Sequence, residues 1–456
     1  MRSMYVARGR KAAALLLAPF LLVSAQCVCT AADEEAAIAE IERRGGSVYR
    51  DEEADTHSII AVAFDGPKFG DGQVSLLSAF PALNRVHLAE TRLTDEGLAQ
   101  ISRIPGLHSI AWRGEISRIP RRGFAELNRL RGLKSLSLGA RRATDDELRS
   151  LAEFSHITSL VVDRGEITDA GILAIEDLKD LQNLQLSGSQ ITGKGLKNFT
   201  KLKELLLIGS MLDDTVMQEL KGLDQLEQLV IPFAEITDAG VKDLGGIKSL
   251  KGLGLAGLDI TDDGISALRG ISTLTGLYLG YTGITDGALE SLAELSGLTN
   301  LTLSGTAITD EGLRHLRGLD QLERLELDGT RVTDAGLPVL AKLEKLSVLG
   351  LSQTEITDAG LKSLGDAKQL SELNLSKTWI TDAGLKAMSG IEKLTKLDLR
   401  ETRVTDAGIP ELCILKNLSR LDLTRARITE AGIQRLKEAL PRTNISSETI
   451  VSPFPF

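Results

Sequence analysis

The chain has 456 residues and a formal net charge of −10, with 53 Lys and Arg against 63 Asp and Glu. This length would ordinarily indicate two or three globular domains. Because nucleic-acid affinity depends on an excess of Lys and Arg, the acidic balance and the presence of only two Trp argue against a nucleic-acid partner.

Residues 1–32 have the composition of an export signal. An apolar stretch over residues 12–23, too short for a comfortable membrane span, follows four basic residues: Arg2, Arg8, Arg10 and Lys11. Thr30, Ala31 and Ala32 then provide small residues for cleavage before Asp33. The sequence therefore predicts a signal peptide over residues 1–32 and an extracytoplasmic protein, located in the periplasm, in the envelope or outside the cell.

Two alternatives to cleavage remain open in this segment. Cys27 and Cys29 suggest a lipoprotein, although Gln26 and Val28 stand where a small residue would precede a lipidated Cys. We expect membrane association only through such a lipidated or uncleaved N-terminus, and a cytosolic protein is the third possibility. After cleavage a single Cys, Cys413, remains, so we expect no intramolecular disulfide.

Residues 33–58 precede the regular part of the chain. The segment Glu34–Arg44 places Ala37, Ile38 and Ile41 on one side, which predicts an amphipathic helix ended by the glycine pair at 45–46. We interpret 33–58 as a capping segment, because the first unit of a stacked array exposes its core unless something covers it.

A 24-residue period then dominates the chain from residue 59 to residue 440. From Leu207 to Leu423 the period repeats nine times without slippage, and the earlier steps are 24, 24, 26, 24, 24 and 21 residues. The last apolar residue of each predicted strand forms a column of sixteen: Phe64, Leu88, Trp112, Leu138, Val162, Leu186, Leu207, Ile231, Leu255, Leu279, Leu303, Leu327, Leu351, Leu375, Leu399 and Leu423.

Each repeat combines two local patterns. The alternation around Leu325 and Leu327 predicts a short strand with one buried face, and the apolar spacing of Leu337, Leu340 and Leu343 predicts a short helix. A Thr-Asp step between them is a helix-start signal, and the sequence leaves open which of the two residues is the N-cap. One unit buries too little apolar surface to fold alone, so sixteen stacked units predict a single elongated domain.

The LxxLxL strand and the 24-residue period resemble the leucine-rich repeat family, over about residues 59–440. The Thr-Asp-Ala-Gly-Leu helix start is similar to the ribonuclease-inhibitor-like and F-box-associated subclasses, and to exported bacterial proteins of this family. The resemblance implies an α/β fold: a right-handed horseshoe of about 16 repeats, with a concave parallel β-sheet and convex helices. It also implies that a Thr column at 282, 306, 330, 354, 378 and 402 bonds the backbone of the next coil, as Asn or Cys does in the family.

Residues 441–456 follow the last predicted helix and end in Pro-Phe-Pro-Phe. Pro441 stops the helix that Leu436 and Leu440 close. We predict either a C-terminal tail or a second cap.

Candidate catalytic and metal-binding residues have simpler structural explanations. The acid pairs Asp213-Asp214 and Asp262-Asp263 fall at the helix-start position that nearly every repeat shares, so we interpret them as caps. The five His have no second His or Cys at metal-ligand spacing, and no nucleotide-binding or nucleophile motif follows a strand. The sequence therefore predicts a protein that is not an enzyme, with no metal site and no cofactor.

The outward positions of the strands suggest where a partner binds. These positions lie three before, one before and one after the column residue, and they are polar or charged near both ends of the chain. In the repeats of Leu207 through Leu279 they become apolar or very small, with two aromatic residues at the strand ends. The predicted binding residues are Leu206, Ile208, Val230, Phe233, Tyr278 and Tyr281, with Trp379 as a separate exposed candidate.

Glycines among these outward positions would let the backbone or a flat ring of a partner approach closely. The alternative is that an exposed strand simply tolerates small residues. We predict an exported binding scaffold that recognises a protein, a peptide or a glycan on its concave face. The alternatives are an adaptor resembling the F-box leucine-rich-repeat substrate receptors of ubiquitin ligases, and a structural protein of the cell envelope.

Overall fold

The computed structural model describes residues 31–52, 57–113, 121–139, 143–209 and 211–448. These residues form one sheet with the following strands: β1 Ser47–Arg50, β2 Ile59–Asp65, β3 Arg85–Ala89, β4 Ser109–Arg113, β5 Ser135–Gly139, β6 Ser159–Val162, β7 Asn183–Ser187, β8 Glu204–Ile208, β9 Gln228–Val230, β10 Gly252–Gly254, β11 Gly276–Tyr278, β12 Asn300–Thr302, β13 Arg324–Glu326, β14 Val348–Gly350, β15 Glu372–Asn374, β16 Lys396–Asp398, β17 Arg420–Asp422 and β18 Asn444–Ser446.

The strands pair in chain order. From β2 to β18 every neighbouring pair is parallel, and in the regular part the register advances by one repeat, as in Leu253 opposite Leu277 and Leu277 opposite Leu301. The sheet stays open because its two ends, β1 and β18, each have a single neighbour among the described strands. This is the predicted solenoid: one parallel sheet built from successive repeats, with helical segments between the strands.

The helices that connect the strands are short. They are α1 Ala31–Arg43, α2 Asp95–Ile101, α3 Arg121–Leu127, α4 Asp145–Ser150, α5 Asp169–Ala174, α6 Val216–Leu220, α7 Asp238–Leu244, α8 Asp262–Ser266, α9 Asp286–Leu292, α10 Asp310–Leu313, α11 Leu337–Leu340, α12 Asp358–Leu364, α13 Asp382–Leu385, α14 Ile409–Leu412 and α15 Glu430–Ala439. Short 3₁₀ segments replace or extend helices at Asp71–Ala79, Leu196–Asn198, Ala267–Gly270, Arg314–Gly318, Lys386–Gly390 and Asp406–Gly408.

The hydrophobic core runs the length of the repeats as one continuous cluster. All sixteen residues of the strand column are buried, including Trp112. Helix residues such as Leu337 and Leu340 close the core from the other side of the strands. Each repeat therefore buries its apolar side chains against both neighbours, which is why the repeats form one domain.

The two side chains of the Thr-Asp step contact different repeats: the Thr contacts the preceding repeat and the Asp the following one. Thr357 is the N-cap of α12, because its hydroxyl accepts a hydrogen bond from the backbone N–H of Ala359 at 3.2 Å. Its own backbone N–H and hydroxyl donate to the carboxylate of Asp334 in the preceding repeat, at 2.8 and 2.6 Å. The same pair recurs in most described repeats, from Asp71 with Thr94 to Asp406 with Thr429. The acids therefore join repeats rather than cap their own helices.

A glycine three residues after the Thr makes room for this carboxylate. A Cβ atom on Gly360 would clash with the Asp334 carboxylate, and Gly384 has the same relation to Asp358. Glycine is unfavourable within a helix, so its recurrence at this position reflects the contact between repeats. In one repeat the glycine comes one residue earlier, at Gly287, where a Cβ atom would meet the carboxylate of Asp262.

This ladder of Asp–Thr pairs is interrupted once in its central part. Thr192 still donates to the carboxylate of Asp169, but Gly193 occupies the next acid position and Asp213 occupies the following Thr position. Asp213 then caps locally by accepting from the backbone N–H of Thr215 at 2.9 Å. The interruption coincides with the shortest repeat, whose helical segment is only the 3₁₀ turn Leu196–Asn198.

The expected role of the buried Thr column is wrong in detail. The hydroxyl of Thr306 donates to the carbonyl of Leu303 in its own repeat at 2.6 Å, and the other five members do the same in theirs. At this position the Thr hydroxyl therefore closes the turn after its own strand, although Thr158 and Thr275 elsewhere in the repeat do bond a neighbouring coil.

Both ends of the sheet carry additional elements. At the N-terminal end β1 pairs antiparallel with β2, and α1 places Ile41 fully in the core, so a helix and a strand precede the first repeat. At the C-terminal end β18 continues the parallel sheet, with Ile445 opposite Leu421. The predicted signal segment, including Cys27 and Cys29, lies outside the described residues except for Ala31 and Ala32. Within the described ranges no helix is long and apolar enough to cross a membrane.

Candidate functional site

A left-handed backbone turn follows the strand in nearly every described repeat. The residue two positions after the column residue has a positive φ; glycine occupies it at 66, 188, 209, 257, 305 and 329, and a charged or polar residue at 90, 164, 353, 377, 401 and 425. Phe233 and Tyr281 adopt the same conformation with φ of 56° and 60°. A bulky side chain in this region of the backbone is strained by about 1–2 kcal/mol relative to glycine. Glycine would adopt this backbone conformation with less strain than these two aromatic residues do.

The rings of Phe233 and Tyr281 are exposed and lie across neighbouring glycines. Phe233 is 71% exposed and Tyr281 is 68% exposed. The Phe233 ring covers Gly257 and the Tyr281 ring covers Gly305, so that a Cβ atom on either glycine would meet the ring. Two aromatic rings therefore lie flat along one edge of the sheet, two repeats apart, which corresponds to roughly 10 Å at the usual strand spacing.

The other predicted residues form a row beside these rings. The register places Leu206 opposite Val230, Val230 opposite Gly254, and Gly254 opposite Tyr278, across β8 to β11. Leu206 and Val230 are partly exposed, while Tyr278 and the adjacent Ile208 are each 40% exposed. We call Leu206, Ile208, Val230, Phe233, Tyr278 and Tyr281 the apolar patch.

The glycines of the patch do not form open gaps. The side chain of Gln228 fills the space above Gly252, Val230 leans over Gly254, and Tyr278 leans over Gly276. The expectation that a partner backbone approaches at these glycines is therefore wrong. Glycine lets a larger side chain on a neighbouring strand lie flat against the sheet, which widens the apolar surface of the patch.

Trp379 does not join the apolar patch. It lies four repeats beyond the repeat of Tyr281, at a turn, and is 51% exposed. The guanidinium carbon of Arg403 lies 4.2 Å from the centre of its ring, a cation–π contact. One face of the indole is thus already occupied, so Trp379 is a separate feature of the surface.

Sequence reasoning missed a cavity at the N-terminal end of the concave face. It has a volume of about 830 Å³ and lies over β2 to β6, with Tyr49 of β1 at its edge. Its floor consists of small residues such as Ala63, Ala111 and Ser137. The signal in the sequence was this run of small outward residues, which the charged neighbours Arg85 and Arg113 concealed.

The C-terminal part of the concave face is a mutually paired charge network around a cavity of about 320 Å³. Arg400 pairs with Asp398 at 2.6 Å, and Lys396 pairs with Glu372 at 2.7 Å. Burial raises the pKa of Glu326, and the nearby charge of Asp328 adds to this effect. Burial likewise raises the pKa of Asp328.

In the described part of the chain, no group of three or more His, Cys, Asp and Glu side chains could hold a metal ion. Burial and the charge of Arg85 lower the pKa of His87, so this imidazole is neutral near pH 7. The described residues thus form three candidate binding surfaces. The first is the apolar patch, the second is the N-terminal cavity with its floor of small residues and its two arginines, and the third is the C-terminal network of paired charges.

Comparison with known families agrees with the repeat pattern. A profile described as Leucine Rich repeat matches residues 369–389, which span one strand and the following helix start. The protein is a leucine-rich repeat protein. No curated protein matches the sequence of this leucine-rich repeat chain.

Solved structures share the solenoid. A leucine-rich repeat protein of Leptospira interrogans is 22% identical with a TM-score of 0.56, over 84% of this chain and 95% of that one. An internalin of Listeria monocytogenes is 22% identical with a TM-score of 0.47, over 79% and 89%. The ectodomain of a plant receptor kinase from Arabidopsis thaliana, in complex with CASPARIAN STRIP INTEGRITY FACTOR 2, is 15% identical with a TM-score of 0.42, over 83% and 56%. At these identities the likeness is one of fold.

Proposed function

We propose that this leucine-rich repeat protein is an exported, non-enzymatic scaffold that binds a protein or peptide partner through the apolar patch. The observation that carries the proposal is the pair of exposed aromatic rings, Phe233 and Tyr281, held in left-handed backbone conformations. Six described repeats have glycine at this position and six have a charged or polar residue, so the aromatic rings, and not the backbone conformation, distinguish this stretch.

The composition of the patch supports a protein or peptide partner. Large aromatic and aliphatic side chains lie together on one face, and charged residues such as Lys203, Glu204 and Lys251 surround them. Exposed apolar patches with a polar rim mark protein interfaces, and aromatic residues supply much of the binding energy there. Burying one such ring removes apolar surface worth about 1.5–3 kcal/mol.

Export is the second part of the proposal. The basic, apolar and small-residue order of residues 1–32 supports it. N-terminal sequencing of the natively expressed protein should find a chain that starts at or near Asp33. A cytosolic chain that retains Met1 would contradict export and favour the alternative role as an intracellular adaptor.

The test of the patch uses glycine substitutions at the strained positions. We expect Phe233→Gly and Tyr281→Gly to leave the free energy of unfolding within about 1 kcal/mol of wild type, because relief of backbone strain offsets the loss of ring contacts and the added freedom of the unfolded chain. Partners should first be captured from the compartment where the mature protein resides, and their affinity for each variant then measured by calorimetry. Each variant should lose about 2 kcal/mol of binding free energy.

Two further substitutions complete this experiment. Lys377→Gly is the matched control, since Lys377 has the same left-handed conformation with φ of 57° but lies outside the patch. It should bind normally. Ile208→Lys should weaken binding without unfolding the chain, because Ile208 is exposed on the strand edge. Unchanged affinity in Phe233→Gly, Tyr281→Gly and Ile208→Lys together would reject the patch, and capture of glycans instead of proteins would reject the partner class.

A further inference from the structure

The N-terminal cavity contains two cations with no partner. Arg85 and Arg113 line it, both are exposed, and neither forms an ion pair with any described residue. The cations on the C-terminal part of the concave face differ: Arg324, Lys396, Arg400 and Arg420 all have carboxylate partners within 4.0 Å. A paired cation is neutralised in place, whereas an unpaired cation beside a cavity is available to a ligand.

The backbone register places small uncharged residues opposite both cations. Arg85 lies opposite Ser109, and Arg113 lies opposite Ala89 on one side and Gly139 on the other. Of the acids that also line the cavity, Asp65 is the last residue of β2 and Asp163 follows β6, and neither forms an ion pair with either arginine. Asp163 already accepts a hydrogen bond from Ser187.

The two arginines also define a spacing along the concave face. They lie one strand apart and four positions apart along the strand direction, so their Cα atoms are separated by roughly 14 Å. An extended peptide covers this distance with about four residues. Between the arginines lie His87 and the small side chain of Ala111, and Ala63 lies beside His87 on the neighbouring strand.

We propose that the N-terminal cavity binds an extended acidic peptide segment of a protein partner, with Arg85 and Arg113 each pairing with one carboxylate side chain about four residues apart. The small floor residues leave room for the peptide backbone, and the phenol ring of Tyr49 provides an apolar contact at the edge of the cavity. This site is distinct from the apolar patch, since β3 and β4 are separated from β8 by several repeats. The two sites can therefore fail or succeed independently.

The probe for this site is a fluorescein-labelled, extended peptide of alternating Ala and Ser that carries two Glu four positions apart. Fluorescence anisotropy with the purified protein should show saturable binding that weakens as salt is raised. A peptide with Gln in place of both Glu should not bind, and a peptide with the two Glu adjacent should bind more weakly. Arg85→Gln and Arg113→Gln should each raise Kd about tenfold, the effect of losing one charge-assisted hydrogen bond.

Arg420→Gln is the matched control, because Arg420 lies on the same concave face but pairs with Asp422 at 4.0 Å. It should leave Kd unchanged. Thermal melts should show all three variants folded, since each side chain is exposed. Equal binding of the Glu and Gln peptides, no binding of the Glu peptide, or equal Kd values for wild type and both cavity variants would each overturn the proposal. Tighter binding of a hyaluronan hexasaccharide than of the Glu peptide, lost in the same variants, would also overturn it in favour of an anionic glycan.

Discussion

At the scale of single residues, the carboxylate of the Thr-Asp step accepts hydrogen bonds from the next repeat. Asp334 accepts two hydrogen bonds from Thr357 in the next repeat, and Gly360 leaves the space that the carboxylate occupies. Local helix-start preferences would assign Asp334 to its own helix. The three residues instead form one contact between repeats, which makes their contributions to stability interdependent.

We expect Asp334→Ala to lower the free energy of unfolding by about 1–3 kcal/mol, because the backbone N–H and hydroxyl of Thr357 lose a charged acceptor. Gly360→Ala should also destabilise the fold, although Ala favours helices more than Gly does, because its Cβ would clash with the Asp334 carboxylate. Urea denaturation of both variants and of the double variant measures the coupling.

The double variant separates this contact from independent effects. With the carboxylate removed, Gly360→Ala should cost at least ~0.5 kcal/mol less than it does alone. Additive effects of the two substitutions would contradict the inter-repeat contact. Partner binding should be unaffected in all three variants, since these residues lie away from both candidate sites.

At the scale of secondary-structure elements, the repeats could be predicted from the sequence because each strand and helix carries its own periodicity. The column from Phe64 to Leu423 is buried throughout. The strand β18 was missed, although Ile445 follows Leu421 by 24 positions, because Pro441 and the polar residues around Ile445 hide the apolar pattern. The antiparallel strand β1 was missed for a different reason, since Ser47–Arg50 alternates weakly and its pairing depends on β2.

The same limit applies to the candidate sites. Exposure of Phe233, Tyr281 and Trp379 follows from their place in the repeat, which the sequence shows directly. The strain at Phe233 and Tyr281 and the filling of the space above Gly252 and Gly276 depend on backbone angles and on side chains from neighbouring repeats. The sequence cannot show contacts of this kind, because they arise only when the repeats are stacked.

The terminal strand β18 provides an element-scale prediction. It donates and accepts backbone hydrogen bonds with the preceding repeat, as in Leu423 N–H to the carbonyl of Ser446 at 2.8 Å, and Ile445 packs against the core. Removal of residues 441–456 should therefore lower the free energy of unfolding by about 2 kcal/mol or more. Guanidinium denaturation followed by circular dichroism measures this change.

A shorter truncation is the control for β18. Removal of residues 449–456 leaves the described contacts of the strand intact and should change the free energy of unfolding by no more than about 0.5 kcal/mol. Equal losses in the two truncations would show that the last residues, rather than β18, cover the end of the solenoid.

At the scale of the whole molecule, the solenoid is a chain of repeats whose stability depends on contacts between neighbours. Most of these contacts include the Asp–Thr pair, and between Asp145 and Thr429 the described pairs are interrupted between the repeats of Leu186 and Leu207, where Gly193 replaces the acid. Glu219 compensates in part by accepting from the backbone N–H of Gly195 at 3.1 Å and pairing with Lys197 at 3.2 Å. The apolar patch begins in the strand that follows this interruption.

Local opening should therefore be easiest at the interruption. Hydrogen–deuterium exchange with mass spectrometry should find the amides around Leu196–Asn198 less protected than those of Leu337–Leu340, after correction for intrinsic exchange rates. The expected difference is about tenfold, because the missing Asp–Thr pair is worth about 1–3 kcal/mol and the Glu219 contacts recover part of it. The repeat of Leu337 is the internal control, since its acid Asp334, at the position of Gly193, forms the intact pair with Thr357. Asp334→Ala should bring the protection of that repeat toward the level at Leu196–Asn198. Equal protection of the two repeats in the wild type would show that packing of the apolar core, and not the Asp–Thr ladder, sets the local stability of this solenoid.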